Sequence, residues 1–195
     1  EITSFLIGKG AEIIVVACNT ATAAAIATLR AEFPIKFIGM EPAVKPAVKS
    51  TKTGVVGVLA TAGTLKADKY LFSEGVKIVE HIGHGFVELV EKGCLTGDEA
   101  ENIVKDSLKP LLDEGADRIV LGCTHYPFLC ETITKIAAEL YPERDIEIID
   151  PAPAVARHLK DIMKTEALIH NEGFSIELKS SGDDSILKET FDRIS

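Results

Sequence analysis

The feature that most constrains this chain is the regular exchange of short apolar strands for helices along its whole length. Ile13–Ala17 (IIVVA) is a continuous β-branched run, the signature of a parallel strand buried on both faces. An Ala-rich stretch to Glu32 follows and reads as a helix, capped by Asn19 or Thr20 and closed by Pro34. Lys36–Met40, Val55–Ala60, Val76–Glu80, Arg118–Leu121, Ile146–Ile149 and Phe174–Leu178 read as further strands. Helices are predicted over Glu41–Ser50, from the Thr61-Ala62-Gly63-Thr64 loop through Phe72, and over Phe86–Lys92, Asp98–Glu114, Phe128–Leu140, Ala154–Met163 and Ser185–Ile194. Pro110 is expected to kink or break the helix that contains it. Such alternation predicts an α/β fold with mainly parallel sheets flanked by helices. Ligands in these sheets sit at the carboxyl ends of the strands.

Two segments repeat one another. Ile14-Val15-Val16-Ala17-Cys18-Asn19-Thr20 and Ile119-Val120-Leu121-Gly122-Cys123-Thr124-His125 are each a buried strand, a small residue, a cysteine and a polar turn into a helix. The repeat predicts two similar half-sites related by a pseudo-two-fold. Facing each other across a cleft, the two thiols would flank one ligand. That arrangement suits inversion at a carbon acid: a thiolate removes the α-proton, and a thiol delivers a proton from the other face. A helix N-terminus lowers a cysteine pKa and offers free N–H groups to a carboxylate. A single cysteine in a parallel strand is usually only a small buried hydrophobe. Two cysteines in matching turns, with His125 two residues beyond the second, shift the balance towards chemistry.

Other classes fit poorly. A formal net charge of −9 over 195 residues offers nothing for counterion release, so no nucleic-acid partner is expected. No apolar run approaches the length needed to span a bilayer, so no membrane partner is expected either. Cys18, Cys94, Cys123 and Cys130 form no C-x-x-C pair and read as reduced thiols of a cytoplasmic protein. Cys123, His125 and Cys130 match no zinc spacing, so no metal is expected. P-loop, dinucleotide-binding and nucleophile-elbow motifs are absent.

At the two cysteine turns the chain resembles a known family. Val16-Ala17-Cys18-Asn19-Thr20-Ala21 and Leu121-Gly122-Cys123-Thr124-His125-Tyr126-Pro127 are similar to the first and second cysteine motifs of the cofactor-independent glutamate racemases. Val56–Thr61 with Gly63-Thr64, Val87–Gly93 and Ser180-Ser181-Gly182-Asp183 resemble other segments of that family. The resemblance implies two similar domains, residues 1–41 with 146–195 and residues 42–145, with the active site at their interface. It implies interconversion of L- and D-glutamate for peptidoglycan synthesis, without any cofactor. Carried over, it makes Cys18 and Cys123 the acid–base pair, with His125 and Glu91 tuning the Cys123 side. Asn19, Thr20 and Thr124 would hold substrate, with Thr61 and Thr64 as further candidates. A homodimer is implied as well.

The chain also departs from the family pattern. Only 17 residues precede Cys18, and they contain neither the Asp-Ser-Gly nor the Pro-Tyr-Gly motif with which family members begin. The absence of an initiator Met suggests a fragment or a processed chain. Competing expectations are another superfamily member such as an aspartate racemase or a one-cysteine decarboxylase, a hydrolase using a Cys–His pair, and an inactive binding module. His125 following Cys123-Thr124 argues against an aspartate racemase, which carries Glu at that position.

Overall fold

A computed structural model describes residues 1–65, 75–168, 173 and 175–194. In chain order these form α1 (Ile2–Gly8), β1 (Ile13–Val16), α2 (Asn19–Glu32), β2 (Lys36–Gly39), α3 (Val44–Ser50), β3 (Val55–Ala60), α4 (Ala62–Leu65), β4 (Lys77–Ile82) and α5 (Phe86–Lys92). Then come α6 (Asp98–Asp113), β5 (Arg118–Gly122), a 3-10 turn (Tyr126–Leu129), α7 (Cys130–Leu140), β6 (Glu147–Ile149), α8 (Ala152–Thr165) and α9 (Asp184–Ile194). The architecture is α/β. Every strand pairing among the described residues is parallel, in two sheets: β1-β2 and β4-β3-β5-β6.

The larger sheet carries most of the core. Along β3, Leu59 faces one side with Ile119 and Leu121 of β5, packed under α5, α6 and α7. Val56, Val58 and Ala60 face the other side with Val120, under α3. A strand covered on both faces has no polar side to show, which is why VVGVLA and RIVLG carry almost no polar residues.

The smaller sheet is different. Ile14, Ile26 and Phe37 form its core, but in β1 only Ile14 is buried. The full burial expected of Ile13–Ala17 is not met, because β1 pairs on one edge only among the described residues. Beside it, α1 buries none of its residues and leaves Ile2 and Phe5 exposed.

Several boundaries differ from expectation. β6 pairs with β5, so residues 147–149 belong to the larger sheet and not with the first half. The chain crosses back only after Ile149: α8 faces β2, and Lys36 meets Glu166 just beyond its end at 3.2 Å. Helix α6 runs through Pro110 to Asp113 instead of breaking. Residues 175–178 form no strand, and Phe174 lies outside the described residues. The helix expected from the 61–64 loop is described only as Ala62–Leu65, its remainder lying outside the described residues. No helix among the described residues is long and apolar enough to cross a membrane.

At the amino ends of the strands, away from the cysteine turns, Asp117 and Arg118 lock the larger sheet. Both are nearly fully buried. The Asp117 carboxylate accepts from the Thr51 hydroxyl at 2.5 Å and the backbone N–H groups of Lys52 and Thr53 at 2.7 and 3.3 Å. The Arg118 guanidinium donates to the Asp117 and Asp145 carbonyls and to Ser50, and pairs with Glu147 at 3.1 Å. Burial alone would raise the Asp117 pKa, but the donors from Thr51, Lys52 and Thr53 outweigh it and hold the carboxyl below its ordinary value.

Three outcomes follow. Asp117→Ala leaves the Thr51 hydroxyl and the Lys52 and Thr53 N–H groups without their acceptor and costs about 2 kcal/mol by chemical denaturation. Because the folded-state pKa of Asp117 is depressed, its contribution is present above the unfolded carboxylate pKa and is lost as pH falls through the folded value. The parent should therefore lose more stability on acidification than Asp117→Asn does. In amide hydrogen exchange, β1 and β2 should exchange faster than β3 and β5, which are buried on both faces.

Candidate active site

The cysteine turns are brought together by register and by three threonine hydroxyls. In the β3–β5 pairing Ala60 lies opposite Gly122, so Thr61 and Cys123 leave adjacent strand ends side by side. Thr20, two residues after Cys18, places its hydroxyl 3.1 Å from both the Thr61 and Thr64 hydroxyls, which are 3.2 Å from each other. The first half thus docks on the second through the turn that carries Cys18. Gly63 permits the approach: a Cβ there would sit 2.8 Å from the Thr20 methyl.

The two thiols occupy different surroundings. Cys18 is exposed and serves as the N-cap of α2, with the Ala21 N–H reaching its sulfur at 3.5 Å. The cysteine itself caps the helix, in place of the expected Asn19 or Thr20. Cys123 is half-buried and does not abut a helix; a 3-10 turn intervenes before α7 begins at Cys130. The helix-terminus effect expected of both cysteines fails at Cys123. Burial pushes its thiol pKa up, the Cys18 charge adds to this, and backbone N–H groups of Thr124, His125 and Tyr126 only partly offset it.

His125 stands beside Cys123, its Nδ1 3.8 Å from the sulfur. Its Nε2 lies 3.7 Å from a carboxylate oxygen of Glu91, at the end of α5. The sequence-predicted trio of Cys123, His125 and Glu91 is therefore assembled. Thr124 lines a cavity of about 290 Å³ with Cys123, Pro127, Phe128, Met40, Asp150, Pro151 and Ala152. Met40 comes from the end of β2 and Ala152 from the start of α8, so both halves build its wall. The sequence reading placed no role on Met40. Asp150, at the end of β6, accepts the Ala152 N–H at 2.8 Å where α8 starts.

Asn19 is nearly fully buried, yet neither polar atom of its amide has a hydrogen-bond partner. A buried amide left unpaired is costly, and such groups gather where a ligand completes them. Among the described residues no cluster of three His, Cys, Asp or Glu side chains is arranged to hold a metal.

Two parallel sheets, each with a cysteine turn at a strand end and docked through the Thr20, Thr61 and Thr64 hydroxyls, define an α/β protein with a candidate site where the sheets meet. Residues 2–159 match the Asp/Glu/hydantoin racemase family, and the chain belongs to it. A glutamate racemase from Roseiflexus sp. (strain RS-1) is 47% identical over 174 residues, covering 86% of this chain and 62% of that protein. The glutamate racemase of Thermus thermophilus, solved with beta-chloro-D-alanine, superposes with a TM-score of 0.80 at 27% identity, over 99% of this chain and 72% of that one. That of Escherichia coli, solved with L-glutamate and the activator UDP-MurNAc-ala, gives a TM-score of 0.70 at 31% identity, over 84% and 62%. The chain spans about 62% of the Roseiflexus relative's length.

The contrast between the thiols is measurable by iodoacetamide alkylation and peptide mass spectrometry. Cys18 should label first at neutral pH. Cys123 should lag behind a free cysteine, with its half-maximal reactivity displaced to higher pH.

Proposed function

We propose that this chain carries the two-thiol machinery for inverting the α-carbon of glutamate, interconverting the L and D forms. The observation that carries the reading is the docking of the Cys18 turn on the strand end beside Cys123, through Thr20, Thr61 and Thr64. Two thiols that flank one cleft can address opposite faces of one carbon.

The chemistry needs only proton transfers. In one direction the Cys18 thiolate takes the α-proton: the C–H bond breaks, an S–H bond forms, and the electron pair delocalises into the substrate carboxylate. Cys123, kept protonated by its burial, returns a proton to the opposite face. The thiols end with their roles exchanged, as the reverse reaction requires. His125 and Glu91 form a path by which Cys123 regains or loses its proton. The unpaired Asn19 amide, the Thr124 hydroxyl and the Thr20, Thr61 and Thr64 cluster would hold the substrate's carboxylates and ammonium. Residues 1–41 with 150–195 form one lobe in this reading and residues 42–149 the other. The product would be D-glutamate for peptidoglycan, made in the cytoplasm.

Proton NMR in deuterium oxide tests this on the chain itself. L- or D-glutamate should exchange its α-proton and invert, while L-aspartate should not. Cys18→Ala and Cys123→Ser should each slow inversion at least about a hundredfold, the usual loss of an acid–base group. Inversion undiminished in both variants, or faster with aspartate, would sink the proposal.

A further inference from the structure

Behind Cys123, Tyr126 joins the cysteine turn to the loop that opens α5. Its side chain is 1% exposed. The hydroxyl donates to the Gly83 carbonyl at 3.2 Å, and the Tyr126 N–H donates to the Cys123 carbonyl at 3.1 Å. The ring packs edge-on against Phe86, the first residue of α5, with centroids 4.8 Å apart. Gly83 is tied in turn to β3, its N–H donating to the Ala60 carbonyl at 3.3 Å. Only glycine fits there, because a Cβ would lie 2.7 Å from the Tyr126 hydroxyl oxygen. One side chain therefore sets the spacing between the Cys123 turn and the helix that bears Glu91.

We propose that Tyr126 is a positioning residue for the Cys123 half-site: its hydroxyl, held on the Gly83 carbonyl, keeps the cysteine turn in register with α5, so that His125 stands between the Cys123 sulfur and the Glu91 carboxylate. The inference rests on the two-thiol reading. The contacts of His125 with Cys123 and Glu91, at 3.8 and 3.7 Å, are long enough that a small shift of the turn against α5 would break them. Burial, and after it the Cys123 charge, push the Tyr126 phenol pKa far up, so the hydroxyl remains a donor throughout the working range. Among the described residues, the titratable groups facing Cys123 and Tyr126 are Cys18 across the cleft, His125 on the same turn, Asp150 on the shared cavity wall, and Glu88 and Glu91 on α5.

Alkylation of Cys123 across pH, read on its own peptide, reports the half-site without any substrate. His125→Asn should change the pH profile of Cys123 labelling, and Tyr126→Phe should change it in the same way while leaving Cys18 labelling unmoved. In turnover, Tyr126→Phe should lower kcat about tenfold or more with little change in KM, as expected of lost alignment. A folded Tyr126→Phe protein whose Cys123 profile overlays the parent's overturns the proposal. If that variant does not fold, 3-fluorotyrosine at position 126 keeps the ring and hydroxyl. Its fluorine resonance should move on Cys123 alkylation and in His125→Asn, and a signal indifferent to both overturns the proposal equally. Failure of the parent to exchange the glutamate α-proton sinks the racemase reading alone, because the labelling profiles need no glutamate.

Discussion

The pairing of β3 with β5 is the constraint on which the rest depends. These strands form the middle of a four-stranded parallel sheet, and their inner residues are closed off from water on both faces. Burying that much aliphatic surface fixes the register, because a one-residue slip would exchange the side chains of the two faces. The register then decides where the chemistry falls. With Ala60 opposite Gly122, Thr61 and Cys123 emerge at the same edge, and Thr61 is half of the surface on which the Cys18 turn lands.

The two ends of this sheet are used differently. At the amino ends, Asp117 and Arg118 are satisfied by each other, by Glu147 and by the surrounding backbone. At the carboxyl ends, polar groups are left incomplete: the Asn19 amide is buried without a partner, and the three threonine hydroxyls bond mainly to one another. A fold can tolerate unsatisfied groups at one end because the other end and the core hold the strands in place.

The half-sites match in sequence but not in environment. Each strand ends in a small residue and a cysteine, yet Cys18 caps a helix at the surface, while Cys123 lies in a half-buried turn before a 3-10 segment. Desolvation dominates at the second site and raises its thiol pKa. Similar turns thus hold their thiols in unequal surroundings, one open to solvent and one half-buried beside His125.

Much of this was legible before any coordinates. The alternation of short apolar runs, Val55–Ala60 and Arg118–Leu121 among them, with helical stretches predicted the parallel α/β architecture. The repeated strand–small–Cys–polar pattern marked Cys18 and Cys123, and His125 and Glu91 came from the family resemblance. What the sequence could not contain was anything set by packing between distant segments. That β1 is only half-buried depends on which edge finds a partner. That residues 147–149 join the larger sheet depends on pairing with a strand about 30 positions earlier, a contact no local pattern encodes. The raised pKa of Cys123 depends on how deeply α5 and the 3-10 turn enclose it. Local sequence determined the elements and the chemistry available at their ends; tertiary structure alone decided how the ends meet, because burial and register belong to the assembled sheet.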